Sequence, residues 1–585
     1  MSRFIAALTA NMVVAAAIVL ASTACQSKPG SNATTDTSST PNPSQKPAAI
    51  RGGEIVASVR ADPQSFNRLS KADRTTDLVS MLTQAKLVRI NKVTQEVEPW
   101  LAESWSVDAS GRTYTLKLRT VSFSDGQPLT ADDVAFTFAA IYDRKAASVL
   151  ADSMTVDGKP LIVTPIDPHI VSITFPIAYG PGVRILDNVP ILPKHRLGPM
   201  LSSGTFAQAW GTATPPADVA GAGPFVLREY RPGERLVFDR NPLYWRRAAD
   251  GVQLPYLDRI TVELVPDQNA EMLRIESGQL DVMNEEVTAD AYAALRRADR
   301  EGRVRLIDVG PALQADSFWI NLKPHAFGAD PRAQWLQSEE LRQAISLAVD
   351  RKTFADTVFL GAADPVFGPV APANKPWYWT GTPQTPNDPA RALAFLAKVG
   401  LTDRHHDGML EDVRGEPGRF SLLVQKGRPR LERGAQVIRD ELKKIGLAVD
   451  IVNLEGNAVV GHIVTGQYES VYFAPTASDI DPATNLDFWL SSGGFHLWNP
   501  SEKAPATDWE RRIDELMLRQ IATTDIAERR RLFDEVQKIF IEHDPVLYFA
   551  ARHIYVAISS RVATATPAVD VFPVMWAPDQ ISVKP

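Results

Sequence analysis

A single cysteine in 585 residues cannot close an intrachain disulfide, build a cysteine-based zinc site or hold an iron–sulfur cluster, so all three are excluded. Positive charge is also scarce. Lys and Arg number 62 against 69 Asp and Glu, a net charge of −7, and no basic run exceeds three residues, which argues against a nucleic-acid partner. No internal repeat with a period of about 20–50 residues is present, which disfavours a solenoid or propeller. Three enzyme signatures are missing as well: the Gly-x-Ser-x-Gly elbow, the His-Glu-x-x-His helix and the Gly-x-x-x-x-Gly-Lys phosphate loop. Counting does not remove paired acids for glycoside hydrolysis, so a secreted hydrolase stays as a rival reading. What is present is globular: 44% apolar and 22% charged residues, in a chain long enough for several domains or one multi-lobed body.

The cysteine is informative by position. Residues 1–24 carry Arg3, an apolar stretch over 12–21 and the small residues Ser22, Thr23 and Ala24 before Cys25, which is the layout of a secretory signal peptide. The apolar run is too short to span a bilayer, and no later segment is long and apolar enough to be a second span. The segment resembles a bacterial lipoprotein signal, which implies a lipidated Cys25, although Ser22 stands where that pattern usually has Leu. An ordinary cleaved signal with an incidental cysteine is the alternative. Residues 27–49 contain no aromatic or branched aliphatic side chain, so they cannot offset the entropy of ordering and read as a tether.

From residue 51 onward, strand-like and helix-like patterns alternate between 43 prolines and 34 glycines, which indicates an α/β architecture. Residues 111–119 place Tyr114, Leu116 and Leu118 on one face of a half-buried strand. Helices are expected at 130–142, where Thr130 and Asp133 form a capping-box-like start, and from Ser338, where Ser338 caps and Glu339 and Glu340 complement the dipole. Two more are expected at 431–445, stopped by Gly446 and followed by a strand over 447–452, and at 527–541.

Several blocks resemble one family. They are LAESWSVD at 101–108, YTLKLR at 114–119, FSDGQPLTADDV at 123–134, GAGPFVL at 221–227, RPGE at 231–234, RNPLYW at 240–245, LRQAISLAVDR at 341–351 and the Asp481-Pro482 turn. Together they are similar to the family 5 extracellular solute-binding proteins, the dipeptide, oligopeptide and nickel receptors of ABC importers. The resemblance implies a class II periplasmic-binding fold in which two lobes close on a ligand, with an accessory lobe. By analogy lobe I comprises 51–87, 194–315 and 548–585, the accessory lobe 88–193 and lobe III 316–547, with chain crossings near 319–321 and 547–548 as the hinge. It further implies an extracytoplasmic receptor, working as a monomer without a cofactor or metal. Its partners would be a peptide or other small solute, an ABC permease, and the cell or outer membrane through the lipid on Cys25. A chaperone-like or signalling receptor of the same fold stays open.

In the peptide-binding branch, an aspartate just before the Asp-Pro-like turn receives the peptide amino terminus. Counting back from Asp481-Pro482 puts Ser478 at that place and Asp479 one residue on, so Asp479 becomes the candidate partner of a ligand ammonium, with a turn aspartate as the plainer alternative. Phe66 and Asn67, after the first strand, are candidates for an apolar wall and a hydrogen bond, or are loop packing. Trp377, Trp379 and Trp489 offer flat surfaces for stacking a sugar or side chain, and equally for packing between lobes. Residues 403–412 imitate a calcium loop, but His405 takes a ligand place and Arg414 falls where the late bidentate Glu belongs. Adjacent His405 and His406 read as a solvated turn more readily than as a transition-metal site.

Overall fold

Two strand-rich regions of the chain become two separate sheet systems in the computed structural model, which describes residues 51–284, 287–474 and 480–585. In the first, Glu54–Val59 runs parallel to Arg259–Leu264, which pairs antiparallel with Arg235–Arg240 and then Phe225–Arg231. Bridges from Val282 to Ala57 and Ile558 carry this sheet on to Ala550–Ser559, which pairs with Val304–Pro311. A second, wholly antiparallel sheet orders Ile162–Asp167, Ile170–Thr174, Thr113–Leu118 and Ala102–Val107. Thr113–Leu118 alternates as expected, with Tyr114, Leu116 and Leu118 buried. Its helix, Ala131–Tyr142, starts where Asp133 Oδ2 accepts the Thr130 amide at 2.8 Å, and buries Val134, Phe138 and Ile141. A cap of this kind contributes about 1 kcal/mol and each buried aromatic or branched side chain about 1.5–3 kcal/mol.

The other system is a five-stranded sheet in the order Ala448–Leu454, Arg419–Gln425, Ser470–Phe473, Ser317–Ile320 and Val546–Tyr548. The first three are parallel, and Ser317–Ile320 is antiparallel to both its neighbours. Both faces are covered, as parallel strands require. Phe318, Ile320, Leu422, Val424 and Tyr472 point into one core with the helices Glu339–Ala348, Arg351–Val358 and Pro429–Lys443. The alternate residues Trp319, Leu423 and Val471 point into another with Asp508–Ala522 and Ile526–His543. The expected caps are in place: Ser338 Oγ accepts the Leu341 amide at 3.1 Å, and Gly446 takes φ +79° after the third helix. That helix begins at Pro429, two residues before the expected start, because proline at the first helical turn sacrifices no hydrogen bond.

Two passages between the systems lie side by side, and Ala363–Pro365 also pairs antiparallel with residues 550–552 beside them. Residues 312–316 join Val304–Pro311 to Ser317–Ile320, while Phe549 alone joins Val546–Tyr548 to Ala550–Ser559. The Ala312 amide donates to the Arg552 carbonyl at 2.7 Å, coupling the two. Arg351, buried, ties the adjacent helices to this crossing, its guanidinium donating to the carbonyls of Val366 (3.0 Å), Tyr548 (3.1 Å) and Ser346 (2.8 Å). Two other blocks interlock likewise. Asn241 Nδ2 donates to the Gly223 carbonyl at 2.8 Å, and the Gly223 amide to the Thr83 carbonyl at 2.9 Å. Any Cβ at Gly221 or Gly223 would overlap the Thr83 backbone, so both positions require glycine for close approach.

Candidate functional site

Beside the crossings lies a cavity of ≈ 890 Å³ with walls from both sheet systems. Residues from 68–190 and 570–572 form one wall, and residues from 313–317, 369–374 and 480–548 the other. The walls touch at its margins, where the Gly180 amide donates to the Ile521 carbonyl and Gln95 Nε2 to the Ala373 carbonyl at 3.0 Å. Its volume lies in the range of small-molecule and short-peptide sites.

The apolar surface is aromatic on one side. Phe488 and Trp489 meet edge to face at 4.8 Å, Trp489 packs on Phe533 at 5.0 Å, and all three line the cavity. Phe495 is 57% exposed and Val571, on the opposite wall, also 57%, which leaves both with apolar surface open to the cavity.

The charges lining the cavity are unequal in number and in engagement. Four are basic. Arg68 pairs with Asp77, Lys86 with Asp187 at 3.5 Å, Lys92 with Asp570 at 3.2 Å, and Arg184 donates to the Gln95 carbonyl at 3.0 Å. Burial alone would raise the Asp187 carboxyl pKa, but Lys86, Lys92 and the Ile90 amide outweigh it and hold the group below the usual range. At Asp77 the balance is reversed: burial wins over Arg68 and pushes the pKa up. Three further aspartates, Asp152, Asp157 and Asp487, line the cavity exposed and with no side-chain partner among the described residues. The unengaged charge of the cleft is therefore negative on both walls.

The sequence-selected residues divide around this cavity. Trp489 lines it. Asp481 sits just beneath it, buried, its carboxylate accepting both Nη atoms of Arg529 at 2.9 and 2.6 Å and the Ala483 amide at 3.0 Å. Arg529 in turn lies 4.8 Å from the centre of the Trp377 ring. This bidentate, desolvated pair braces the turn rather than offering a free charge. Trp377 is buried against Phe533, and Trp379 is half-buried below the Lys538 ammonium; neither lines the cavity. Phe66 is fully buried, edge-on to Tyr230 at 5.5 Å, and Asn67 Oδ1 accepts the Leu69 amide at 3.0 Å inside the first core. Ser478, Asp479 and Cys25 lie outside the described residues. The 403–412 segment is a turn in which His405 pairs with Glu411. Sequence reasoning passed over Asp152, Asp157 and Asp487, whereas Phe495 belongs to the aromatic run 488–498 that the sequence marks for stacking or packing. One signal was available: Asp157-Gly158 is a turn pair.

A second, shallower pocket of ≈ 420 Å³ on the first system is lined by Trp100, Trp245 and Arg119, Arg246 and Arg247. The Arg246 and Arg119 guanidinium groups stack over Trp100 and Trp245, respectively. No residue of the five-stranded system reaches it.

The family model described as bacterial extracellular solute-binding proteins, family 5 (middle), matches residues 96–496, and the chain belongs to that family. Among the curated proteins, a probable ABC transporter-binding protein of Deinococcus radiodurans is 26% identical over 89% of this chain and 90% of its own length. The oligopeptide-binding protein AppA of Bacillus subtilis is 25% identical over 93% and 94%. Among solved structures, the ABC transporter substrate binding protein CtaP of Listeria monocytogenes superposes with a TM-score of 0.73 at 22% identity, covering 91% of this chain and 99% of that one. The two-lobed α/β fold is shared. The family consists of binding proteins that work outside the cytoplasm with ABC permeases, and among the described residues no helix is long and apolar enough to cross a membrane.

Proposed function

We propose that this chain is the solute-capturing component of an ABC importer and that its solute is a peptide presenting a cationic group, either its amino terminus or a basic side chain. The observation that carries this reading is the pairing state of the cleft: each basic group is engaged, while Asp152, Asp157 and Asp487 are not. A ligand cation would gain charge-assisted hydrogen bonds from them, and apolar side chains would cover Phe495 and Trp489. The name of the B. subtilis relative points the same way. Asp479 stays a candidate beside Asp487, eight residues apart on either side of the braced turn.

The division is into lobe I over 51–87, 194–315 and 548–585, the accessory lobe over 88–193 and lobe III over 316–547; the paired crossings and the cores of 316–547 support the separation of lobe III, while the accessory lobe shares one core with lobe I. The protein acts by closing on its ligand, without breaking a bond, as a monomer. The signal-like segment and Cys25 support export and a lipid anchor in the cell or outer membrane, from which the 27–49 tether lets the body reach a permease.

The purified chain is titrated with di- to hexapeptides, N-acetylated peptides, oligosaccharides and nickel while its melting temperature is followed. One peptide class with a free amino terminus or basic side chain should raise it by several degrees. Asp487→Asn should weaken that binding about tenfold with the unliganded melting temperature unchanged. A response to oligosaccharides alone would sink the peptide reading and transfer the ligand to the aromatic wall.

A further inference from the structure

Outside the cavity, the segment that carries Phe495 is held by a buried cluster with unusual hydrogen bonding. His496 is 1% exposed, and its Nδ1 contacts the Phe488 carbonyl at 3.2 Å; a carbonyl can only accept, so Nδ1 carries a proton and Nε2 is the nitrogen that faces the two glutamates. Nε2 lies 3.4 Å from Glu502 Oε1 and 3.5 Å from Glu510 Oε1, too far for a good hydrogen bond to either. Both His496 Nε2 and Glu502 Oε1 are buried without a hydrogen-bond partner.

The outer atoms of the same groups are fully held. Glu502 Oε2 accepts Asn499 Nδ2 at 2.9 Å and the Ala506 amide at 3.0 Å. Glu510 Oε2 accepts the Thr507 amide at 2.9 Å and hydroxyl at 2.7 Å, closing the capping box of Asp508–Ala522, and its Oε1 accepts Trp498 Nε1 at 2.9 Å. One ligand atom from each of the three residues thus lies within 4.8 Å of the others, each side chain oriented by its neighbours. Charge bears on the same three groups. Among the described residues both glutamates ion-pair only with His496, and the Asp514 carboxylate, bonded to the Ser491 amide at 2.9 Å, adds negative potential. Two buried carboxylates sharing one imidazole leave uncompensated negative charge even when that imidazole is protonated, which is costly.

We propose that His496, Glu502 and Glu510 form a binding site for one divalent transition-metal ion of the zinc class. Metal–ligand bonds of about 2.0–2.1 Å in tetrahedral geometry separate the ligand atoms by about 3.4 Å, the spacing seen from Nε2 to both oxygens. An imidazole nitrogen among the donors favours a borderline ion over calcium or magnesium. The backbone carbonyl behind Nδ1 and the donors behind each glutamate orient the ligands as the outer shell of a metal site does. Solvent would supply the fourth position. The ion would clip the loop after Trp489 to the start of Asp508–Ala522, and so fix Phe488, Phe495 and Leu497 on the cleft wall whichever solute the cleft takes.

The full chain, stripped with a chelator, is titrated with Zn²⁺ by calorimetry and with Co²⁺ by visible absorption. One equivalent should bind, with the intense bands of four-coordinate cobalt, and Glu502→Gln and His496→Gln should each weaken binding at least tenfold with the circular dichroism unchanged. No stoichiometric binding by the wild-type chain, or binding unaltered in both variants, would overturn the site and identify the cluster as a protonated histidine between two carboxylates. Should the variants not fold, X-ray absorption of the zinc-loaded wild-type chain decides: one imidazole with oxygen ligands supports the site, and two or more imidazoles overturn it.

Discussion

The recognisable blocks of this sequence and the walls of its cleft obey different rules. At several of the blocks, polar groups are spent on joints inside the protein. Asn241 grips Gly223, Gly223 grips Thr83, Arg351 satisfies three carbonyls at the crossing, and Asp481 is consumed by Arg529. On the cleft walls the basic groups are engaged as well, but Asp152, Asp157 and Asp487 are not, and Phe495 is left half in solvent. Residues that can be recognised along the chain are those that make joints between its parts. The unengaged side chains of the cleft walls are the ones available to a ligand.

The largest test of this contrast is at Arg351. Burial pulls its pKa down to about 10, still well above neutrality, so it remains a cation holding three carbonyls. Arg351→Ala leaves those acceptors unsatisfied beside a cavity and should cost about 3 kcal/mol in chemical denaturation, with ligand affinity of the folded fraction changed little. A large loss of affinity at unchanged stability would show that the joints and the walls are not separable.

Gly180 should give the opposite pattern. It faces Thr523 and Arg529 across the margin of the cleft, and a Cβ there would overlap the Thr523 carbonyl and the Arg529 side chain. Gly180→Ala therefore penalises the arrangement in which the walls meet, while each core stays intact. A penalty of about 1.4 kcal/mol on that arrangement appears as roughly a tenfold weaker apparent affinity. Calorimetric titration with the identified ligand reads it, and small-angle scattering of the unliganded variant should show a larger radius of gyration. Equal affinity with a lowered melting temperature would return Gly180 to the joints.

The division explains what could be read from the sequence. Thr130 with Asp133, Ser338, and Gly446 lie within a few residues of what they cap, so local chemistry announces them. The α/β order of the strands follows from the same short-range patterns. Asp487 and Asp157 carry no such signal: they face one cavity only because two sheet systems bring together positions hundreds of residues apart, and an exposed aspartate has no periodicity. Phe66 and Asn67 illustrate the converse. A loop after the first strand is a reasonable place for ligand contacts, but Tyr230 closes over Phe66 and takes it into the core.

Asp544 carries the smallest effect and tests the contrast at its boundary, because it lies at the crossing yet behaves as an unspent group. It ends Ile526–His543 in the left-handed conformation, φ +45°, where the helix carbonyls concentrate negative charge. Burial raises its pKa to about 7, against the pull of Arg351 and Arg342 and with a further push from Glu339. A folded-state value above the unfolded one means that the native state holds the proton more tightly. Its contribution is complete below about pH 4 and is lost as the pH rises through 7. Partial exposure trims the loss between pH 6 and 8 to about 1 kcal/mol. Asparagine tolerates the same backbone conformation, so Asp544→Asn should keep the fold and flatten the fall in melting temperature over that interval. An identical fall in both proteins would assign the pH dependence elsewhere and leave Asp544 as one more engaged joint, held by the arginines beneath it.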